Sequence, residues 1–591
     1  MPAKKLAHNL QLIYPTTTEG GRRMKLKKYV ALLLIVLLTV GSLAGCSGKA
    51  SEEKTAAASS VETTEGLDPA NKVPAIDFWI QSQTKDPIRY EAGLMIAENW
   101  KKLGFDVNVE TREWASMSAE GMKAHEHDVF MVKWGGKPER VDPYHWLYSM
   151  HNSIEASEGG YNVAGYINPE YDQLADTFAT STDVSERQVA AKEMQRLLAQ
   201  DVPQPPMFKL KLKNAYNKTK FENLTPGIGL GVYSFWNFMN ITPKTDDKIL
   251  NLGQGGDINL LNPLATKTGQ DIYMLKNIYD PLVRLDVNGE VVNWLATEVK
   301  AIDATTVEVS IRDDVKFHDG ESLTVDDVKF TFEFAKEIKS PTYSQHVRNI
   351  ASIDIFDEDT LVFKLEKPLA TFMSNTLSQC LILPEHIWKP LYDEKGAEAC
   401  LTYENSQPIG SGPFVFDYWR PNEEFALKAN KAHFQVPKIE GILRTPYPQT
   451  FGIIQGLIAG EVDMTSYNMT PLDLEEVKKS EDVGIVELPD MGSYVIHYNM
   501  RKAPFADVTA RRALTMAIPR QAILDVVFDG GALKTFSLVS EDNNFWTNQE
   551  IEMLDFDLEK ATAELKAAGY LWDENGKLYY PENFEAKSYV Q

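Results

Sequence analysis

An α/β chain of two or three lobes, with mixed sheets flanked by helices, is the fold this sequence predicts, and three observations carry the prediction. The length of 591 residues exceeds what one compact core serves. Residues 76–133 run strand, helix, strand, strand, and residues 311–334 read as a strand end, a polar turn and a capped helix. With 43% hydrophobic and 24% charged residues the chain is neither disordered nor fibrous. A formal net charge of −24 excludes a nucleic-acid binder and an electrostatic grip on anionic lipid.

The amino-terminal part reads as an export segment. Lys25, Lys27 and Lys28 follow Met24, and the apolar run Val30 to Val40 is too short to span a bilayer comfortably. Residues 1–23 are expected to lie upstream of the true start. Leu43-Ala44-Gly45-Cys46 resembles a bacterial lipobox, which implies cleavage before Cys46 and lipidation of its thiol. Residues 1–46 are therefore an extension plus a lipoprotein signal peptide. Residues 47–74, rich in Ser, Ala, Glu, Thr and Lys, cannot bury enough surface to fold and are expected to form a flexible tether.

Order is expected from near Ala75. Strands are predicted at Ile76 to Gln81, Phe105 to Glu110 and Val129 to Lys133, with an amphipathic helix from Tyr90 to Leu103 stopped by Gly104. Further helices start at Asn168-Pro169 and run over Glu186 to Leu198, where Pro203 ends the pattern. In the central stretch, Thr324 is placed to cap a helix whose first turn carries Asp326 and Asp327.

That central stretch carries a resemblance. Phe317-His318-Asp319-Gly320, then Leu323-Thr324, Asp326-Asp327-Val328 and Phe330-Thr331-Phe332-Glu333, is similar to the signature of the family 5 extracellular solute-binding proteins, which deliver peptides, nickel, glutathione or oligosaccharides to ABC importers. The resemblance implies a two-lobed, type II periplasmic-binding-protein-like fold with an extra subdomain. It also implies a circular permutation. Residues 75–243 resemble the family's carboxy-terminal third, 244–248 form a link, and 249–591 resemble its amino-terminal and middle regions, ending at the entry to the second lobe. A fusion of fragments from two paralogues is the alternative. The permuted order predicts that Gln591 lies near Asn71, and that Ile249 to Leu252 pairs in the same sheet lobe as the strands of 76–133.

A receptor of this kind needs a cleft with aromatic faces and a few directed polar groups. The best candidate loop follows the strand at Val129: Trp134, Gly135, Lys137, Glu139, Asp142, Tyr144 and Trp146. Peptide binders of the family place an aspartate three residues after the tryptophan to pair with the ligand's free amine; this chain has Lys137 there. Glu139 could take over the role. The other reading is that free-amine peptides are not the ligand. Secondary candidates are Asn259, Asn262, Tyr273, Gly412, Tyr498 and Asn499, with Phe235 and Trp236 as an aromatic platform. Trp134 and Trp146 also read as ordinary core, and Lys137 with Glu139 as a solvated ion pair.

His125, Glu126, His127 and Asp128 provide two histidines on one strand face but no third ligand by sequence, so no metal is expected. No cofactor is expected either, since Gly253 to Gly256 does not open a helix as a dinucleotide loop must. Cys380 and Cys400 are either a disulfide, permitted in an exported compartment, or two buried thiols. The reading is a monomeric, non-enzymatic receptor outside the cytoplasm, held to the membrane by its lipid, whose partners are an oligopeptide-like or oligosaccharide-like solute and ABC permease subunits. A surface hydrolase and a non-transport sensor on the same scaffold are the alternatives.

Overall fold

The computed structural model describes residues 66–584 apart from 267, 529 and 583, so the expected signal peptide, Cys46 and the expected tether up to residue 65 lie outside the described residues. Among the described residues a large mixed sheet has twelve strands. In chain order they are β1 (Ile76–Ile80), β2 (Val107–Thr111), β3 (Val129–Trp134), β4 (Pro206–Asn217), β5 (Ile249–Gln254), β6 (Phe414–Arg420), β7 (Glu424–Ala429), β8 (Gly441–Pro446), β9 (Met464–Thr465), β10 (Val483–Pro489), β11 (Ser493–Tyr498) and β12 (Ala532–Lys534). Their spatial order is β6-β7-β8-β5-β9-β4-β11-β3-β1-β2, and β10 and β12 also pair with β4.

The predicted β-α-β unit is present. β1 pairs in parallel with β2 and β3, and Ile76, Phe78, Trp79 and Ile80 are all buried, as expected for a strand covered on both faces. Helix α1 (Pro87–Lys102) links β1 to β2. The Asp86 side chain caps it by accepting from Arg89 N at 2.8 Å, and Pro87 supplies a first-turn residue that needs no partner for its nitrogen. Helices α2 (Pro169–Thr180) and α3 (Val184–Asp201) follow, capped by Asn168 and Asp183. Val202, barred from the right-handed helical region by Pro203, ends α3 in the left-handed region at φ 50°.

Strand β4 joins two hydrophobic cores. Its first half pairs with β11 and β12 (Phe208↔Tyr494, Leu210↔Ala532), and its second half pairs with β10 from Lys211↔Pro489 to Asn217↔Val483. The core on the first side contains Ile76, Phe78, Tyr494 and Tyr498; the core on the other contains Leu250, Leu252, Val328 and Phe332. This geometry corrects one expectation. Ile249 to Leu252 does enter the same sheet as β1–β3, but β9, β4 and β11 stand between, and β5 packs into the other core, parallel to β8 and β9. The sequence pattern showed strands, not that one long strand carries the sheet from core to core.

Order reaches back to Pro69, earlier than Ala75. Val73 N donates to Leu578 O at 3.0 Å and Tyr580 N to Asn71 O at 2.8 Å, while Lys72 and Lys577 both reach the Asp106 carboxylate. Residues 71–73 thus sit beside 578–580; Gln591 itself lies outside the described residues.

The central stretch folds as a capped helix. In α5 (Val325–Glu337), after α4 (Gly269–Ile278), one Asp327 oxygen accepts from the Thr324 N–H (2.9 Å) and hydroxyl (3.1 Å), and the other from Glu385 N (2.9 Å) at the start of α6 (Glu385–Thr402). One carboxylate therefore fixes two helix starts. α5 packs on a four-stranded antiparallel sheet ordered 296–303, 306–311, 360–365, 350–355. Cys380 and Cys400 are free and buried, which corrects the disulfide option: burial pushes both thiols up and keeps them protonated. Among the described residues no helix is long and apolar enough to cross a membrane.

Asp280, fully buried, accepts at one oxygen from Trp294 Nε1 (2.7 Å) and Arg284 Nη2 (2.9 Å), and its second oxygen accepts from Ser411 Oγ (3.0 Å) and meets His433 Nε2 at 3.2 Å. Burial opposes the charge, but His433 and Arg284 outweigh it and hold the carboxyl well below the usual range. Asp280→Asn leaves the buried Arg284 without its counter-charge. The expected loss is about 3–5 kcal/mol in urea unfolding; a loss below about 1 kcal/mol would show that Asp280 is not needed there.

Candidate functional site

The loop leaving β3 is fastened to the crossing between β10 and β11. Asp490 Oδ1 accepts from Gly136 N at 3.1 Å and from Gly492 N at 2.9 Å, and Lys133 Nζ lies 3.9 Å from the other oxygen. A side chain at 492 would bring a Cβ to 2.2 Å from Trp134 O, so the close approach needs glycine. Beyond Gly136, the Arg140 guanidinium faces the rings of Trp146 (5.2 Å) and Trp134 (5.5 Å) and donates to Gly135 O.

This loop forms one wall of a cleft of about 960 Å³. Lys137, Glu139, Arg140, Tyr144 and His145 line it from one side; Tyr273 and Lys276 of α4 line it from another, with Tyr343, His346 and Arg348 beyond. The volume lies within the range of small-ligand sites. Tyr144 and Tyr148, one helical turn apart, stack at 4.8 Å. Arg348 reaches Glu155 at 3.7 Å, and Ala370 N donates to Ala179 O at 2.8 Å, so the two walls also touch.

Several polar groups of the cleft lack a close counter-charge among the described residues. The Glu139 carboxylate accepts from its own backbone N–H and has no hydrogen bond or ion pair with another residue among the described residues. Burial pushes its carboxyl up, yet the fields of Lys276, Lys137 and Arg140 bring it below the ordinary value. Lys276 donates to Gln379 Oε1 at 2.8 Å; burial pushes its ammonium down and Glu139 opposes the shift. His145 is held neutral by burial first and by Arg140 second, and its Nε2 has no partner among the described residues. Burial also takes His346 down to about 4.

Of the residues singled out in the sequence, Lys137, Glu139, Tyr144 and Tyr273 line this cleft. Others are committed elsewhere. Trp134 donates from Nε1 to His497 Nε2 at 3.2 Å, and Trp146 is buried core. Asp142 pairs with Arg187 at 2.7 Å. Asn262 donates to the carbonyls of Cys400 and Tyr403; the Asn259 backbone N–H donates to Asp271. Gly412 lies against Ile278, where a Cβ would collide with backbone. Tyr498 is buried with its hydroxyl 3.2 Å from Thr515 Oγ1, and Asn499 donates to the carbonyls of His125 and His127. Phe235 and Trp236 line a smaller cavity that shares Glu139, Tyr273 and Lys276 with the cleft; Phe235 also stacks on Arg284 at 3.6 Å, and Trp236 also lines a groove with Trp294 and Phe434. His127 is fully buried between Trp79 and Phe130, and no group of three or more possible metal ligands occurs among the described residues.

Sequence reasoning missed Lys276, His346 and Arg348, and placed Arg140 and His145 in the candidate loop without assigning them a ligand contact. Lys276 was within reach, because it stands three residues after Tyr273 on one helix face. His346 and Arg348 carried no signal, since their approach to the loop is purely tertiary.

Comparison with known proteins adds family information. The model described as bacterial extracellular solute-binding proteins, family 5 (middle), matches residues 290–590, just over half of the chain. The oligopeptide-binding protein AppA of Bacillus subtilis is 28% identical over 334 residues, 55% of this chain and 60% of that one. The dipeptide-binding protein of Escherichia coli is 25% identical over 314 residues, covering 49% and 58%. Among solved structures, NikZ from Campylobacter jejuni with Ni(L-His) is similar at 21% identity and a TM-score of 0.46, covering 57% of this chain and 66% of that one. AppA with a nonapeptide gives 24%, 0.44, 56% and 66%. The chain thus spans about 60% of the length of the curated relatives it matches.

His497, fully buried behind the loop and stacked on Phe130 at 4.9 Å, is pushed down to about 3 by burial, and His151 to about 4. A folded pKa below the unfolded value near 6.5 favours the neutral ring. The contribution is therefore complete above pH 6.5 and lost as pH falls toward the folded value. The melting temperature should fall between pH 7 and pH 4.5 by an amount reflecting on the order of 2–3 kcal/mol per such group. His497→Phe should narrow that fall; an unchanged pH profile in the variant would remove His497 from the account.

Proposed function

The chain belongs to the bacterial extracellular solute-binding proteins of family 5, and we propose that it is a lipid-anchored receptor that captures a small oligomeric solute, peptide-like or saccharide-like, and passes it to the permease of an ABC importer. The observation that carries the reading is the 960 Å³ cleft, whose walls come from residues 137–161, from α4 and from residues 342–381. Walls remote in sequence can close on a solute by relative movement, and the polar groups among them bind without making or breaking a bond.

The lipobox-like Cys46 and the polar stretch after it support an extracytoplasmic, membrane-held location. A circularly permuted order, with 75–243 equivalent to the family's carboxy-terminal third and 249–591 to the preceding regions, is favoured by the ladder between 71–73 and 578–580. Chain ends that lie together on a domain surface can be rejoined elsewhere at little cost.

Two experiments test the receptor. A melting screen over peptides, oligosaccharides and metal chelates should give at least one solute that raises the melting temperature by several degrees, since a ligand at a hundred times its Kd adds about 2.7 kcal/mol. A purified protein indifferent to the whole panel would remove the receptor reading. Cys46→Ser should move the protein from the membrane fraction to the soluble one in a bacterial host; unaltered partition would remove the anchor.

A further inference from the structure

We propose that the cleft takes a solute of net negative charge, one that presents carboxylate or phosphate oxyanions to Lys137, Arg140 and Lys276 and carries no free ammonium there. The inference rests on the receptor reading and adds the class of solute. Five cationic side chains line the cleft, namely Lys137, Arg140, Lys276, Arg348 and Lys367, against three carboxylates, Glu139, Glu155 and Glu366. The local excess of two positive charges stands in a chain of net charge −24. Of these groups, Arg348 and Glu155 form an ion pair at 3.7 Å. The hydrogen-bond and ring partners of the other cations are neutral, for Arg140 the Gly135 carbonyl and two tryptophan faces and for Lys276 the Gln379 amide oxygen, and Glu139 is the carboxylate whose field acts on both. His145 and His346 add no charge near neutral pH, because burial keeps both rings neutral.

Glu139 gives the arrangement its direction. Its carboxylate lies within the fields of Lys276, Lys137 and Arg140 together, so a ligand ammonium brought to it would also meet three positive charges. An incoming oxyanion meets one carboxylate and three cations, two of them on the loop and one on α4. Closing the walls on it removes water from those cations and strengthens the attraction, whereas a neutral solute would leave them desolvated and unpaired. An oxyanion spanning the gap would also couple the loop to α4, which share no ion pair among the described residues.

Calorimetric titration of the full chain with matched solutes tests this. The probes are Glu-Glu-Glu with an acetylated amino terminus, acetylated Ala-Ala-Ala, free Ala-Ala-Ala, Lys-Lys-Lys, a trigalacturonate, maltotriose and maltotriose phosphate. The acetylated acidic peptide, the trigalacturonate or the phosphate should bind at least about tenfold tighter than its neutral counterpart, with affinity falling as salt rises. Which of the three wins distinguishes peptide, sugar-acid and phosphate sources. Lys276→Gln and, independently, Arg140→Gln should each erase most of that preference while leaving the melting temperature within a few degrees. Lys137→Asp should shift preference toward free Ala-Ala-Ala. Neutral or cationic solutes binding as tightly as the anionic ones would overturn the inference and leave the receptor reading standing. No binding by any probe, with no hit in the melting screen, would remove both.

Discussion

The hydrogen bonds from Gly136 and Gly492 to Asp490 are the constraint on which the arrangement of the cleft depends. β10 and β11, each paired with β4, follow it from one core to the other, and Asp490 sits in the link between them. A buried carboxylate accepting from two backbone N–H groups is worth more than neutral contacts would be, because both bonds are charge-assisted. Its effect is positional. The loop that carries Lys137, Glu139 and Arg140 is tied to the strands that cross between the cores, so a change of angle at the crossing is passed directly to one wall of the cleft.

Two treatments of buried charge separate scaffold from site. Asp280 has four partners within 3.2 Å, and Asp327 serves two helix starts. These groups are satisfied by the protein itself and define its shape. Glu139, Lys137 and Lys276, by contrast, are partly withdrawn from water and lack close counter-charges among the described residues. Such incompleteness costs stability in the empty protein and is what a complementary solute can offset.

Local structure was legible in the sequence, and tertiary placement was not. The helix start at Asn168, the cap Thr324, the stop at Val202 and the buried strands β1 and β3 follow from short-range rules, so their positions agreed within a few residues, whereas the caps Asp86 and Asp183 emerge only from the structure. Lys137, Glu139 and Tyr144 could be found because loop chemistry stands out from its surroundings, and Tyr273, on α4, through the family resemblance of its segment. Asn262, Tyr498 and Asn499 could not be assigned in the same way: a polar side chain reads alike whether it meets a solute or the protein, and Asn262 and Asn499 meet backbone carbonyls while Tyr498 meets the Thr515 hydroxyl. Nor could spacing say that Cys380 and Cys400 stay apart as thiols, because a disulfide depends on geometry that separation along the chain does not encode.

The ladder between residues 71–73 and 578–580 has a mechanical consequence. Its hydrogen bonds lie across the antiparallel segments they join, so tension applied along residues 71–73 loads Val73 N–Leu578 O and Tyr580 N–Asn71 O side by side, in shear. The Lys72–Asp106 ion pair carries part of the same load into the turn before β2. Bonds loaded together yield at a higher force than bonds peeled one at a time. The segment can therefore bear tension from its amino-terminal side while β4 and Asp490, on the far side of β1 and β3, keep the cleft in register.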